Sequence, residues 1–375
     1  MQLLNTLYVT LPESYLHLDN DTLRVEIERE TRLRVPLHHL SAVVCFGHVM
    51  VSPILMHRLA DEGKSLVLLN AHGRFKARLE GPVSGNVLLR QAQHRRLDSA
   101  DYCLAVAKSC IAGKLKNCRQ VLQRGARENG READAAVLTV SADELGRALS
   151  RLEHAADLDT VRGIEGDQAK RYFAALTLLV RPEARPFFSM NGRTRRPPLD
   201  RMNALLSFLY SMLMNDARSA LESVGLDPQI GFLHALRPGR AALALDLMEE
   251  FRPLLADRLA LTLINRRQIN ADDFDEHAGG AVTLKDNARR AVITAYQERK
   301  QEALTHPLLE SSLALGLVPF VQARLLARDV ALTAIERVVL LDLSMEASMP
   351  TVLRELPNVR SLSTDAHLLA LTPAG

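Results

Sequence analysis

The chain has 375 residues and 47% hydrophobic content, more than one core usually holds, which predicts two domains. A formal net charge of only +3, from 47 basic against 44 acidic residues, excludes a histone-like or polybasic protein and leaves nucleic-acid contact to local patches. Its four cysteines, Cys45, Cys103, Cys110 and Cys118, lack zinc or redox spacing, no basic export signal opens the chain, and no apolar run reaches the ~20 residues of a bilayer span; a cytoplasmic protein with reduced thiols and no membrane contact is expected.

The first 80 residues alternate apolar and polar in period two, most clearly at Leu23, Val25 and Ile27, which predicts half-buried strands. Asp19-Asn20-Asp21 makes a turn before that strand, and Leu33, Val35 and Leu37 repeat the alternation before the apolar run Ala42 to Phe46. A short helix follows over Pro53 to Asp61, ended by Gly63, then a buried strand over Leu66 to Leu69. Ala71-His72-Gly73-Arg74 turns the chain into a last strand through Leu79. Beyond Gly81-Pro82-Val83-Ser84-Gly85 apolar residues recur every three or four positions, the period of helices. The helical pattern is broken by a basic, proline-rich segment from Arg181 to Arg196 and by Arg237-Pro238-Gly239. The expected fold class is α+β: a β-strand-rich domain over 1–80, a linker over 81–85, a larger all-α domain over 86–330 and an atypical C-terminal tail over 331–375.

Two places carry chemistry. On a helix, Val161, Ala169, Tyr172, Leu176 and Leu179 form one apolar stripe, and Glu165 falls within it. A carboxylate there asks for a metal, an Arg or a proton, and an internal salt bridge answers that need as well as a functional site does. Farther on, His234 precedes a helix on which Asp246, Glu249 and Glu250 share a face opposite Leu243, Leu247, Phe251 and Leu254. By themselves these acids read as a solvated face, and the histidine as structural.

The segments Arg162-Gly163-Ile164-Glu165-Gly166, Asn203-Ala204-Leu205-Leu206-Ser207 and Asp246-Leu247-Met248-Glu249-Glu250-Phe251-Arg252-Pro253, with His234 between the last two, resemble the signature segments of the CRISPR-associated Cas one integrases. Gln322-Ala323-Arg324-Leu325-Leu326-Ala327-Arg328 brings the similarity closest to type I, subtype C members. The resemblance covers roughly the first 330 residues. From Asp329 to Gly375 the chain lacks the subtype's Gly-Asp pair and proline-aromatic ending, as a reading-frame change would produce.

The resemblance implies an N-terminal β domain that dimerises and a C-terminal catalytic α domain. It implies that Glu165, His234 and Glu249 hold a divalent metal, Mg2+ or Mn2+, with Asp246 as a supporting acid. Two carboxylates and an imidazole suit such an ion, which can neutralise charge developing on phosphodiester oxygens. The function implied is insertion of short DNA fragments as new spacers at the leader end of a CRISPR repeat array, by attack of a 3′-hydroxyl, in a homodimer working with a small Cas two partner. Arg193, Arg195, Arg196, Arg201, Arg237 and Arg240 are the candidate contacts to double-stranded DNA. A nuclease acting on branched DNA in repair would need the same ligands, whereas a non-catalytic DNA-binding scaffold would need no carboxylate at position 165.

Overall fold

The computed structural model describes residues 6–70, 75–79, 81, 87–306 and 311–331. The N-terminal strands are β1 (Thr6–Val9), β2 (Ser14–Asp19), β3 (Thr22–Ile27), β4 (Glu30–Pro36), β5 (Ala42–Phe46) and β6 (Val49–Val51). Helix α1 (Pro53–Asp61) precedes β7 (Ser65–Leu69) and β8 (Phe75–Leu79). They form two four-stranded sheets, in the orders β4-β3-β2-β6 and β1-β5-β7-β8.

Alternation explains the first sheet: β2 and β3 pair antiparallel and turn Leu16, Leu23 and Val25 inward against α1 and the second sheet. The tight turn between them takes Asn20 to φ 52, a left-handed conformation that asparagine tolerates. Leu37 does not extend β4; it begins a short 3-10 turn and is buried there. The second sheet follows another rule. Its strands β1, β5 and β7 run parallel, and both faces are covered, which is why Ala42 to Phe46 and Leu66 to Leu69 are continuous apolar runs. Val43, Cys45 and Leu66 face the first sheet, whereas Val44, Phe46, Val67 and Leu69 join the core of the helices. The sequence reading did not single out β1, β2 or β6.

The helical region comprises α2 (Val87–Arg96), α3 (Ala100–Glu128), α4 (Glu132–Glu153), α5 (Leu158–Leu176), α6 (Arg201–Ser223), α7 (Ala242–Met248), α8 (Arg258–Asn265), α9 (Asp286–Gln301) and α10 (Val318–Ala331). Side-chain caps fix three of the starts: Ser99, Asp157 and Asp200 accept from the backbone N–H of Tyr102, Thr160 and Asn203. A π-helical turn over Arg252–Asp257 joins α7 to α8. Two hairpins add to the helices, β9 (Phe274–Glu276) with β10 (Val282–Leu284) and β11 (Ala303–His306) with β12 (Ser311–Ala314). Their three- and four-residue strands are too short to stand out against a helical period. The fold is α+β, strand-rich first and helical after. The turn over 71–74, most of the linker over 81–85 and the tail beyond Ala331 lie outside the described residues.

Gly81 lies where the chain leaves the sheets, and a Cβ built there would stand 2.4 Å from the Ala60 carbonyl oxygen of α1. Backbone cannot swing aside as a flexible side chain does. Gly81→Ala is therefore expected to destabilise the protein by roughly 1–3 kcal/mol, read as a lower denaturation midpoint at unchanged slope.

Candidate metal centre and its arginine rim

Lys114 occupies a buried position of α3, on the stripe that carries Ile111, Leu115, Cys118 and Leu122. Its ammonium contacts Glu165 Oε1 on α5 and lies 2.8 Å from Glu249 Oε2. Glu165 is on the half-buried flank of its helix rather than mid-stripe, which Gln168 holds with the buried Val161, Tyr172 and Leu176. The cation that this carboxylate requires is the lysine.

The three acids around α7 are buried, not solvated, and each turns to a different partner. Asp246, 1% exposed, accepts from the backbone N–H groups of Phe232 (2.7 Å), Leu233 (3.0 Å) and His234 (3.0 Å), and its Oδ1 lies 2.7 Å from His234 Nδ1. A carboxylate can only accept, so Nδ1 carries the proton and Nε2 of the neutral ring keeps its lone pair. That nitrogen is 3.8 Å from Glu249 Oε1, which also pairs with Arg252 at 3.0 Å. Gly231 is needed beside the clamp, since a Cβ there would stand 2.8 Å from Asp246 Oδ2 and 2.6 Å from the Ala242 carbonyl carbon. Glu250 points away, accepts from Gln322 of α10 at 3.3 Å and packs against Gly113.

The electrostatics divide these acids. Burial alone would raise Glu249, but Arg252, then Lys114 and His234, outweigh it and hold its carboxyl at about 2. Burial pushes Glu250 up to about 8, offset only in part by Gln322. Burial opposes the Lys114 charge, yet Glu249 and Glu165 keep its pKa above the ordinary lysine value. Glu249 is thus an anion at neutral pH, and Glu250 is not expected to contribute a full charge.

Glu165 and Glu249 thus share the Lys114 ammonium, and His234 Nε2 approaches Glu249 at its other oxygen; among the described residues no three acidic, histidine or cysteine side chains stand grouped to hold a metal ion. The donors fit a hard divalent cation: it holds oxygen at roughly 2.1 Å, so two ligand atoms on it lie within about 4 Å of each other, as His234 Nε2 and Glu249 Oε1 do. Glu249 Oε2 is buried and, despite the nearby ammonium, has no hydrogen bond of good geometry. Asp246 supplies the outer carboxylate that usually orients a ligating histidine.

The expected DNA contacts separate into two groups. Arg195, Arg196 and Arg237 are exposed, and Arg240 is half-buried. Burial, then the charges of Arg237, Arg195 and Arg196, lower the Arg240 pKa, so these four guanidinium groups share one neighbourhood with Asp246. Arg193 and Arg201, both half-buried, also tie the protein together. Arg193 donates to Asn203 Oδ1 (2.5 Å), the Thr194 carbonyl (2.7 Å) and Ser207 Oγ (3.1 Å). Arg201 donates to the Ala271 carbonyl and pairs with Glu276 at 2.8 Å. Asn203, also donating to the Gly192 carbonyl and Asp200, fastens the loop before α6.

Sequence reasoning missed Lys114 and Arg252, though a lysine on an apolar stripe is the same kind of anomaly as Glu165. It also missed Asp257 at the end of the π-helical turn, which accepts from Tyr210 (2.7 Å) and Tyr172 (3.0 Å). The Tyr210 ring lies beneath the guanidinium groups of Arg193 (5.1 Å) and Arg252 (4.9 Å). Burial raises Asp257 from 3.8 to about 6 even against its tyrosine donors. Its proton is held more tightly in the folded state, so its contribution to stability is full below about 4 and is lost as pH rises through about 6. Asp257→Asn should remove that loss. Its stability relative to wild type is expected to grow between pH 4 and 6 by up to roughly 3 kcal/mol, measured by denaturant titration at each pH.

The description CRISPR associated protein Cas1 matches residues 7–298 of the chain. A CRISPR-associated endonuclease Cas1 of Moorella thermoacetica is 55% identical over 326 residues, covering 87% of this chain and 95% of its own. One from Rhodospirillum rubrum is 50% identical over 332 residues, covering 87% and 95%. A Cas1 protein from Thermotoga maritima has the same fold, with a TM-score of 0.75 at 24% identity over 87% of this chain and 97% of its own. The described strands and helices from β1 to most of α9, with Lys114, Glu165, His234 and Glu249 among them, lie within the matched span: the chain belongs to the Cas1 family of CRISPR-associated proteins.

Proposed function

We propose that the chain is a metal-dependent endonuclease and integrase of CRISPR adaptation, which inserts short DNA fragments as spacers at the leader end of a repeat array. The observation that supports this reading is that Glu165 and Glu249 share Lys114 and that His234 lies 3.8 Å from Glu249, beside an arginine rim. The 55%-identical relative is named an endonuclease, which supports phosphodiester chemistry. Glu165, His234 and Glu249 would hold a Mg2+ or Mn2+ ion, which when bound supplies Lewis-acid stabilisation of charge on phosphate oxygens.

The chain's own residues do the rest. Asp246 fixes the ring and proton of His234, and Arg252 keeps Glu249 ionised. Lys114, with Arg252, offsets the charges of the two carboxylates that would ligate the ion, and its contact to Glu249 is the one an ion would have to replace. Arg195, Arg196, Arg237 and Arg240 hold the DNA backbone in register. The nucleophile is the 3′-hydroxyl of the incoming fragment. Tyr172 and Tyr210 are poor alternatives, because burial and Asp257 raise both well above the usual tyrosine value.

A small Cas2 protein is the proposed partner. A chain of a partial Cas6-RT-Cas1–Cas2 complex, 25% identical with a TM-score of 0.59, supports this. The Gln322 to Arg328 run supports subtype I-C, and a DNA substrate inside the cell makes the cytoplasm its place of work. Among the described residues no helix is long and apolar enough to cross a membrane. A homodimer through the β region is proposed from its surface: Met50 (67%) and Ile54 (68%) are exposed apolar side chains, and Met50 is in register with Tyr15 beside it. Among the described residues β6 pairs with β2 alone and leaves an edge.

Two outcomes test this reading. With partner, metal and an array plasmid, fragments ending in 3′-hydroxyl should integrate and 3′-phosphate ends should not. Glu165→Ala should lower strand transfer at least 100-fold while DNA affinity stays within about twofold, since phosphates are held mainly by arginines. Integration of blocked ends without trimming, or DNA left covalently bound to denatured protein, would contradict the mechanism. Separately, Met50→Glu should shift a micromolar sample from dimer to monomer in sedimentation, and a monomeric wild type would refute the dimer.

A further inference from the structure

A second basic feature lies apart from the arginine rim. Beyond Lys114, α3 runs another two turns, about 10 Å, to the mouth of a cleft of about 810 Å³ between the end of α3, the turn after α5 and the start of α8. Six arginines line it: Arg124, Arg127, Arg181, Arg185, Arg258 and Arg266. Two are neutralised, Arg124 by Glu128 at 2.7 Å and Arg185 by Asp134 at 2.9 Å. Among the described residues the other four have no carboxylate within ion-pair distance. Arg258 is the most telling, because it is half-buried and still unpaired; burial, then Arg299 and Arg124, lower its pKa. Like charges gathered in a partly desolvated cleft repel one another, and a bound anion relieves that repulsion.

We infer that this cleft is a second anion site, taking the phosphodiester backbone of a DNA strand; the choice of DNA rests on the function proposed above. One phosphate would fill a small part of such a volume, given that a water occupies about 30 Å³. The unpaired arginines come from three separate segments, so they suit phosphates in series. The cleft has no aromatic lining residue, so it offers no stacking platform for a base or a nucleotide ring. It is also linked to the metal-type centre. Asp257, which holds Tyr172 and Tyr210, and Arg258, which lines the cleft, are consecutive residues at the end of one π-helical turn. A strand seated here lies along the same helix, α3, that carries Lys114.

The test uses the exposed, unpaired arginines, whose loss removes no internal contact. Binding of labelled single-stranded and duplex DNA to the full chain is measured from low to high salt, for wild type and for the triple variant Arg127→Gln, Arg181→Gln, Arg266→Gln. A control variant carries Arg147→Gln, Arg151→Gln and Arg290→Gln, equally exposed but outside the cleft. Losing three phosphate contacts should flatten the plot of log affinity against log salt by roughly 2 units for single strands and roughly 3 for duplex, with an unchanged melting temperature, and the control should keep the wild-type slope. An unchanged slope in the cleft variant, or equal flattening in the control, overturns the inference. So does displacement of DNA from wild type by micromolar inorganic tripolyphosphate that the cleft variant resists, which would mark a small-polyphosphate site. Wild type that binds DNA through the cleft yet never transfers strands would defeat the proposed function and leave the cleft standing.

Discussion

One buried cation organises this protein. Lys114 stands between Glu165 and Glu249, and through it α3, α5 and the turn after α7 are held at fixed separation. Removing one member of such a set strands the others without solvent or partner, at a typical cost of about 3–5 kcal/mol. An all-apolar contact would hold the helices as well. What it would not do is keep two carboxylates ionised, side by side, in a protein interior. The ammonium bridges the two carboxylates, and Arg252, the stronger influence on Glu249, holds that carboxyl far below its ordinary value.

The same turn of chain sets the rest of the site. Met248 ends α7, and the backbone widens into a π-helical turn before α8 begins. Asp246 and Glu249 both reach His234, Arg252 pairs with Glu249, and Glu250 and Asp257 turn to other partners. Asp246 clamps the loop that bears His234, Glu249 faces Lys114, Glu250 packs toward α10, and Asp257 collects two tyrosines. Departures from α-helical winding often mark functional segments.

Much of this was legible in the sequence, for reasons that differ by element. Strands β3 and β5 and helix α1 were readable because one-sided burial, two-sided burial and a serine cap before a proline each leave a local pattern. β6 and the two late hairpins were not, since three or four residues carry no period. Glu165 announced itself as a charge on an apolar helix, but its partner did not. Lys114 lies 51 positions earlier, and only the packing of α3 on α5 brings the two together. The acids of α7 misled for the opposite reason: an i, i+3, i+4 spacing looks like a solvated face unless the helix is known to be surrounded. For Arg193 and Arg201 sequence shows a cluster of charge but not the carbonyl and amide oxygens that also engage it.

The charges of the centre also bear on why it remains assembled while open to a substrate. Glu165 and Glu249 face Lys114 and Arg252, and Asp246 faces His234, so the formal charges of the three acids and two cations sum to minus one. A divalent cation reverses that sign to a single positive charge, and the exposed arginines nearby add to it. In the proposed mechanism the Lys114 contact to Glu249 is the exchangeable one, because it lacks hydrogen-bond geometry where the Glu165 contact has it. The elements that would carry the ligands are held independently of that contact, by Asp246 on the His234 loop, by Arg252 on Glu249 and by Asp257 on Tyr172 and Tyr210.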